Sequence, residues 1–134
     1  IDRDVEGALI FLKGRGAKRV FLIGASMGAT ASLKVASRQP VAGVVSLSGP
    51  LSFRGLEVTS GELSAIKAPA IFLASRGDDG AAESAQRMYD RATNAASRDI
   101  DVLDGNAHGT DMLSGIRGKE VQQRILAFLE RYGK

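Results

Sequence analysis

The 134-residue chain contains one histidine and no cysteine. Any imidazole that moves a proton near neutral pH must therefore be His108. A serine becomes a useful nucleophile only when a base takes its proton and an acid orients that base. Ser26 stands in Gly24-Ala25-Ser26-Met27-Gly28, between the apolar run Val20-Phe21-Leu22-Ile23 and an alanine-rich helical pattern. Asp78 and Asp79 end the stretch Ser75-Arg76-Gly77-Asp78-Asp79, just after another apolar run. His108 lies in Leu103-Asp104-Gly105-Asn106-Ala107-His108-Gly109, after a third. The chain order is serine, acid, histidine, which is the set needed for nucleophilic acyl transfer.

Three readings compete for the turn around Ser26. A phosphate cradle at a helix N-terminus would use the same strand, loop and helix. It fails in detail, because no lysine follows Gly28 and a serine stands where the dinucleotide fingerprint needs glycine. A plain tight turn would also use small residues, where strand and helix backbones come close. The third reading is a nucleophile elbow, G-x-S-x-G, in which the serine hydroxyl projects from a strained turn at positive φ. On this reading Gly24 and Gly28 avoid collisions with the turn. The N-terminal dipole of the following helix points at the serine, and the Met27 backbone N–H is placed to stabilise an oxyanion.

Either Asp78 or Asp79 could orient His108, and the other would cap the helix expected from Ala81. Asp104 and Asp111 flank the histidine and are weaker candidates for the acid. Asp104 reads as a strand end and Asp111 as the start of a turn. A histidine in a glycine-flanked loop is poorly placed to be a buried structural imidazole.

The elements that must hold these residues follow from periodicity. Four short apolar runs, at 19–24, 43–48, 70–75 and 99–103, read as strands. The first three alternate little, as expected for parallel strands covered on both faces. Helical patterns occupy 4–13, 28–38, 81–96 and 119–132, with a weaker one near 61–67. In the first of these, Val5, Ala8, Leu9 and Leu12 form one apolar stripe. Strands alternating with helices predict an α/β domain, a three-layer α/β/α arrangement around about four mostly parallel strands. Residues 1–134 read as a single domain, with no repeat and no linker. All three candidate side chains would then lie at the carboxyl ends of parallel strands, where open α/β sheets place their sites.

Composition narrows the function classes. With 44% apolar and 25% charged residues, the chain has ordinary globular composition. No run approaches the ~18 apolar residues of a membrane span, and the first residues have no signal-peptide layout. A cytoplasmic location is the expectation. Without cysteine there are no disulfides or thiolate metal sites, and a single histidine argues against a zinc centre. No metal and no cofactor are expected. The net charge is +3, and the densest basic stretch, Lys13 to Arg19, has no aromatic residues among its charges. It reads as a solvated loop rather than a nucleic-acid site. Arg54 and Glu57 likewise read as solvated loop residues. The chain opens without methionine on a helical pattern, which suggests a processed or trimmed product, or part of something longer.

With these residues assembled, the chain resembles the catalytic half of an α/β-hydrolase, and is similar to the small, lidless, dienelactone-hydrolase-like esterases. The resemblance rests on Arg19 to Ala29, on Ala74-Ser75-Arg76-Gly77-Asp78-Asp79, and on Asn106-Ala107-His108-Gly109-Thr110. It implies Ser26 as nucleophile, His108 as base and, counted from Ser75, Asp78 as acid, with Asp79 one residue away. Dienelactone hydrolases use a cysteine nucleophile, so a serine here implies serine-esterase chemistry on small or short-acyl esters. The resemblance also implies that the loop giving a second oxyanion N–H lies in a half with no counterpart before Ile1. Segment 49–68 is too short for a substantial lid. A non-catalytic fragment or interaction module that retains the three residues is the alternative expectation. If the chain starts at Ile1, the strand at 19–24 would become a sheet edge at which Phe21 and Ile23 offer no charge, which predicts a homodimer formed by edge pairing.

Overall fold

The apolar runs of the sequence become the strands of one parallel sheet. The computed structural model describes residues 1–134. The chain begins with helix α1 (Asp2–Gly14), strand β1 (Phe21–Ala25), helix α2 (Met27–Arg38) and strand β2 (Gly43–Leu47). Two very short strands, β3 (Ser52–Phe53) and β4 (Leu56–Glu57), pair as an antiparallel hairpin before helix α3 (Ser60–Ala65). Strand β5 (Ala70–Ser75), helix α4 (Ala81–Arg91) and strand β6 (Arg98–Leu103) follow. A 3-10 turn (Gly109–Leu113) then leads into helix α5 (Gly118–Tyr132). The sheet order is β1-β2-β5-β6, and all three pairings are parallel.

The central strands β2 and β5 are buried along their whole length, which is why their sequences run apolar without alternation. Successive side chains serve opposite faces. Val44 and Phe72 pack with Leu9 of α1, Leu33 of α2, Leu63 of α3 and Met88 of α4. Val45, Leu47, Ile71 and Leu73 pack instead with Val121, Ile125 and Phe128 of α5. The result is three layers, with four helices on one face and α5 on the other, and the expected α/β fold is the one observed.

Several boundaries differ from the sequence expectation for identifiable reasons. In α1 only Leu9 is buried and Val5 partly so, whereas Ala8 and Leu12 are exposed. The helix packs mainly against α2, so its contact stripe is narrow. Arg38 of α2 fastens it there, with ion pairs to Asp2 at 2.9 Å and Glu6 at 3.1 Å. Hydrogen bonds from that guanidinium hold both carboxyl groups below their ordinary range. Helix α4 stops at Arg91 rather than near residue 96. Ala92 closes on the Met88 carbonyl, and Asn94 donates to the Ser64 carbonyl at 2.7 Å, turning the chain toward β6.

Segment 49–68 is ordered by local chemistry. Thr59 and Glu62 form a reciprocal capping box at the start of α3. Glu62 also receives Lys34 of α2 at 2.9 Å. Burial alone would raise the Glu62 carboxyl, but hydrogen bonds from Lys34 and Thr59 outweigh it and hold the group below its ordinary value. The basic stretch 13–19 is also more engaged than a solvated loop. Lys13 donates to the Pro40 carbonyl at 2.6 Å, Arg19 to that of Tyr132, and Arg15 lies over the Phe11 ring. Arg54 stacks on Phe53 at 5.3 Å.

Candidate active site

Strand β1 ends at Ala25 and α2 begins at Met27, which leaves Ser26 alone between them. Its φ of 52° lies in the left-handed region, a conformation costing a residue with a Cβ about 1–3 kcal/mol. The neighbours hold it there. Its N–H donates to the Leu47 carbonyl at 2.8 Å, and its own carbonyl accepts from Ala29 at 3.0 Å. A Cβ at position 24 would stand 2.3 Å from the Gly28 carbonyl oxygen, so Gly24 is obligatory. Position 28 differs from the expectation, because a Cβ there would meet nothing within 4 Å. The crowding acts through the Gly28 backbone upon Gly24, and not at Gly28 itself.

The three sequence candidates meet above the carboxyl ends of β1, β5 and β6. Ser26 Oγ lies 2.9 Å from His108 Nε2. On the other side of the ring, His108 Nδ1 lies 2.6 Å from Asp78 Oδ2. The Asp78 side chain is only 15% exposed and that of His108 51%. Asp79 is exposed and stands apart. It does not cap α4 either, since Gly80 holds the cap position in a left-handed conformation with no side-chain hydrogen bond. Asp104 faces Arg76 at 3.2 Å and Arg117 at 3.5 Å. Asp111 sits exposed in the 3-10 turn.

The acid loop and the histidine loop are stitched to each other. Arg76 N–H donates to the Leu103 carbonyl and Gly77 N–H to that of Gly105, both at 2.8 Å. A Cβ at position 77 would approach that Gly105 oxygen to 2.8 Å, which explains a glycine one residue before the acid. Met27 is the first residue of α2, so its N–H is among the four helix amides without an intrahelical acceptor. Met27 itself is 36% exposed beside the serine. No group of three or more His, Cys, Asp or Glu side chains converges to hold a metal. A hollow of about 540 Å³ lined by Arg19, Pro40, Lys67 and Pro69 lies at the opposite, amino end of the strands, away from Ser26. No helix is long and apolar enough to cross a membrane.

The turn expected at Asp111 is the 3-10 turn Gly109–Leu113, whereas Ser48 is a contributor that sequence reading does not reach. Gly109 opens that turn with a φ of 60°.

The same backbone arrangement recurs in solved structures. An esterase from Pyrococcus furiosus superimposes with a TM-score of 0.80 at 20% identity, covering 96% of this chain and 60% of that one. The esterase domain of a Rhodothermus marinus protein gives 0.76 at 21% identity, covering 98% and 69%. A dienelactone hydrolase from Anabaena variabilis gives 0.69 at 20% identity, covering 85% and 50%. The chain thus spans 60% of the length of the Pyrococcus esterase and half that of the Anabaena enzyme. No curated protein matches it in sequence. The family model described as the dienelactone hydrolase family matches residues 1–124, and on that match the chain belongs to the dienelactone hydrolase family.

Proposed function

We propose that the chain is a serine hydrolase, a carboxylesterase acting on small or short-acyl esters through an acyl-enzyme. The observation that carries the reading is the continuous line from Ser26 Oγ through both nitrogens of His108 to Asp78 Oδ2. Ser26 Oγ attacks the ester carbonyl carbon while His108 Nε2 takes the hydroxyl proton. Asp78 holds the Nδ1–H tautomer and stabilises the imidazolium. The Met27 N–H donates to the oxyanion of the tetrahedral intermediate. Collapse breaks the bond to the leaving alkoxide, which receives the proton from Nε2. Water then attacks the acyl-Ser26 ester by the same route and releases the acid. The family and the esterases among its structural neighbours support hydrolysis. The reaction calls for no metal or cofactor.

A second reading has one observation in its favour, the 60% span of the Pyrococcus esterase. On that reading the chain is a non-catalytic module without a second oxyanion donor. A fluorophosphonate probe separates the two. An activated Ser26 is labelled, and Ser26→Ala abolishes the labelling. Absence of labelling in the wild type supports the module.

Strand β1 also motivates an assembly. It pairs only with β2, carries no charge, and leaves Ile23 47% exposed. Such an edge pairs with another chain unless it is covered, and we propose that two copies join their β1 edges about a two-fold axis.

A further inference from the structure

We propose that Ser48 and Ser75 are positioning residues for His108, two buried hydroxyls that pin the backbone on either side of the imidazole. The proposal rests on the reading of His108 as the catalytic base. Ser48 follows the last residue of β2 and Ser75 is the last residue of β5. They are 2% and 3% exposed. Ser75 Oγ donates to the Ala107 carbonyl at 2.7 Å. Ser48 Oγ accepts the Gly109 N–H at 3.0 Å and donates to Met112 Sδ at 3.2 Å. The residue before His108 and the residue after it are therefore each tied to a hydroxyl from a different strand.

The backbone at Ser48 argues that this tie is specific. Its φ is 54°, and only Ser26 and Arg54 share positive φ among residues with a side chain. A buried residue held in that region is disfavoured unless its surroundings determine it. Here its N–H donates to the Leu73 carbonyl at 2.8 Å, which fixes the hydroxyl under the histidine loop. Gly109 is itself left-handed, and a Cβ there would lie 3.6 Å from that of Ala25 and 3.9 Å from that of Ser26. The Gly109 amide thus sits against the elbow, and the Ser48 bond sets how closely the histidine loop approaches Ser26. The imidazole is half exposed, so its backbone must supply much of its direction. A small displacement of a reacting group can cost as much as 10²-fold in rate.

The test pairs variants that separate the hydroxyl from the shape. Ser75→Val and Ser75→Thr are near-isosteric and differ in the hydroxyl. Ser48→Gly suits the left-handed backbone while deleting the hydroxyl. Ester hydrolysis is followed for kcat and KM, and the proton NMR resonance of the imidazole Nδ1–H is followed in parallel. That resonance is unambiguous because the chain has one histidine. Ser48→Gly and Ser75→Val are expected to lower kcat about 10- to 100-fold with KM changed less than about twofold. The Nδ1–H signal should be lost to exchange, and Ser75→Thr should restore both readouts. Wild-type kcat and a retained Nδ1–H signal in Ser48→Gly and Ser75→Val overturn the proposal. Equal losses in Ser75→Thr and Ser75→Val overturn it for Ser75. Ser26→Ala run alongside tests the underlying reading separately. If that variant remains active, the nucleophile is misassigned, and the NMR readout still decides whether the hydroxyls hold the imidazole.

Discussion

The carboxyl end of the sheet and the free edge of β1 lie within a few residues of each other, yet they are built in opposite ways. At the carboxyl end, loops from β1, β5 and β6 bring Ser26, Asp78 and His108 together, and the loops bind each other through Gly77 and Gly105. Along β1 the sheet stops, with Ile23 exposed and no charge in Phe21–Ala25. The other edge, β6, carries Arg98, Asp99 and Asp101, a protection against edge pairing that β1 lacks. The difference teaches that the hydrogen-bonded line Ser26–His108–Asp78 is built entirely from this chain's own loops. By contrast, β1 has a strand partner on one side only, and nothing in these loops reaches its free edge.

The largest expected effect tests the assembled region. Ser26→Ala should reduce hydrolysis of p-nitrophenyl acetate or butyrate by on the order of 10³–10⁶ while the protein stays folded. A variant keeping half the wild-type rate would remove the carboxyl end of the sheet as the seat of chemistry. Asp78→Asn follows, because an unoriented imidazole loses roughly 10⁴ in turnover. Asp79→Asn should change little, since Asp79 is exposed and caps nothing. Equal losses in the two variants would reverse the assignment of the acid.

Much of this contrast is legible in the residues themselves. The strands at 43–48 and 70–75 are recoverable from runs such as Gly43-Val44-Val45 and Ala70-Ile71-Phe72, because burial on both faces leaves no room for polar alternation. Ser26 and His108 are recoverable from spacing and from the scarcity of histidine. The choice between Asp78 and Asp79 is less accessible, since one residue of register decides which carboxylate turns inward. Residue type also hides Ser48. Nothing about a lone serine after an apolar run tells that its φ is positive or that its hydroxyl reaches Gly109, 61 residues away in sequence. The narrow contact stripe of α1 is hidden for another reason. Periodicity shows which residues share a face, but not how wide a partner that face will meet.

The edge itself is probed by Ile23→Lys. If two copies pair through β1, facing lysines across the two-fold axis introduce like charges, whose juxtaposition costs several kcal/mol. Light scattering across a dilution series should show the wild type as a dimer and the variant as a monomer. Activity per chain should survive, because Ile23 belongs to the edge and not to the three loops. A wild-type monomer at micromolar concentration would leave β1 covered by something other than a second copy.

The smallest effect comes from the Lys34–Glu62 clip, which ties α2, the helix behind Ser26, to the start of α3. The Glu62 carboxyl is held below its ordinary value of 4.5, so the folded state prefers it ionised. Its contribution is fully present above about pH 4.5 and is lost as pH falls through the lower, folded value. Both partners remain partly exposed, which limits the clip to roughly 1 kcal/mol or less. Glu62→Gln keeps a residue able to complete the capping box and removes the charge. Denaturant midpoints for the two proteins should therefore differ slightly at about pH 6, and the difference should shrink progressively as the pH falls below about 4.5. Hydrolysis at pH 7 should be unchanged, because the clip supports α2 from its far side and touches none of the three loops. A loss of activity larger than the loss of stability would show that the carboxyl end of the sheet depends on α3, and is less self-contained than its hydrogen bonds indicate.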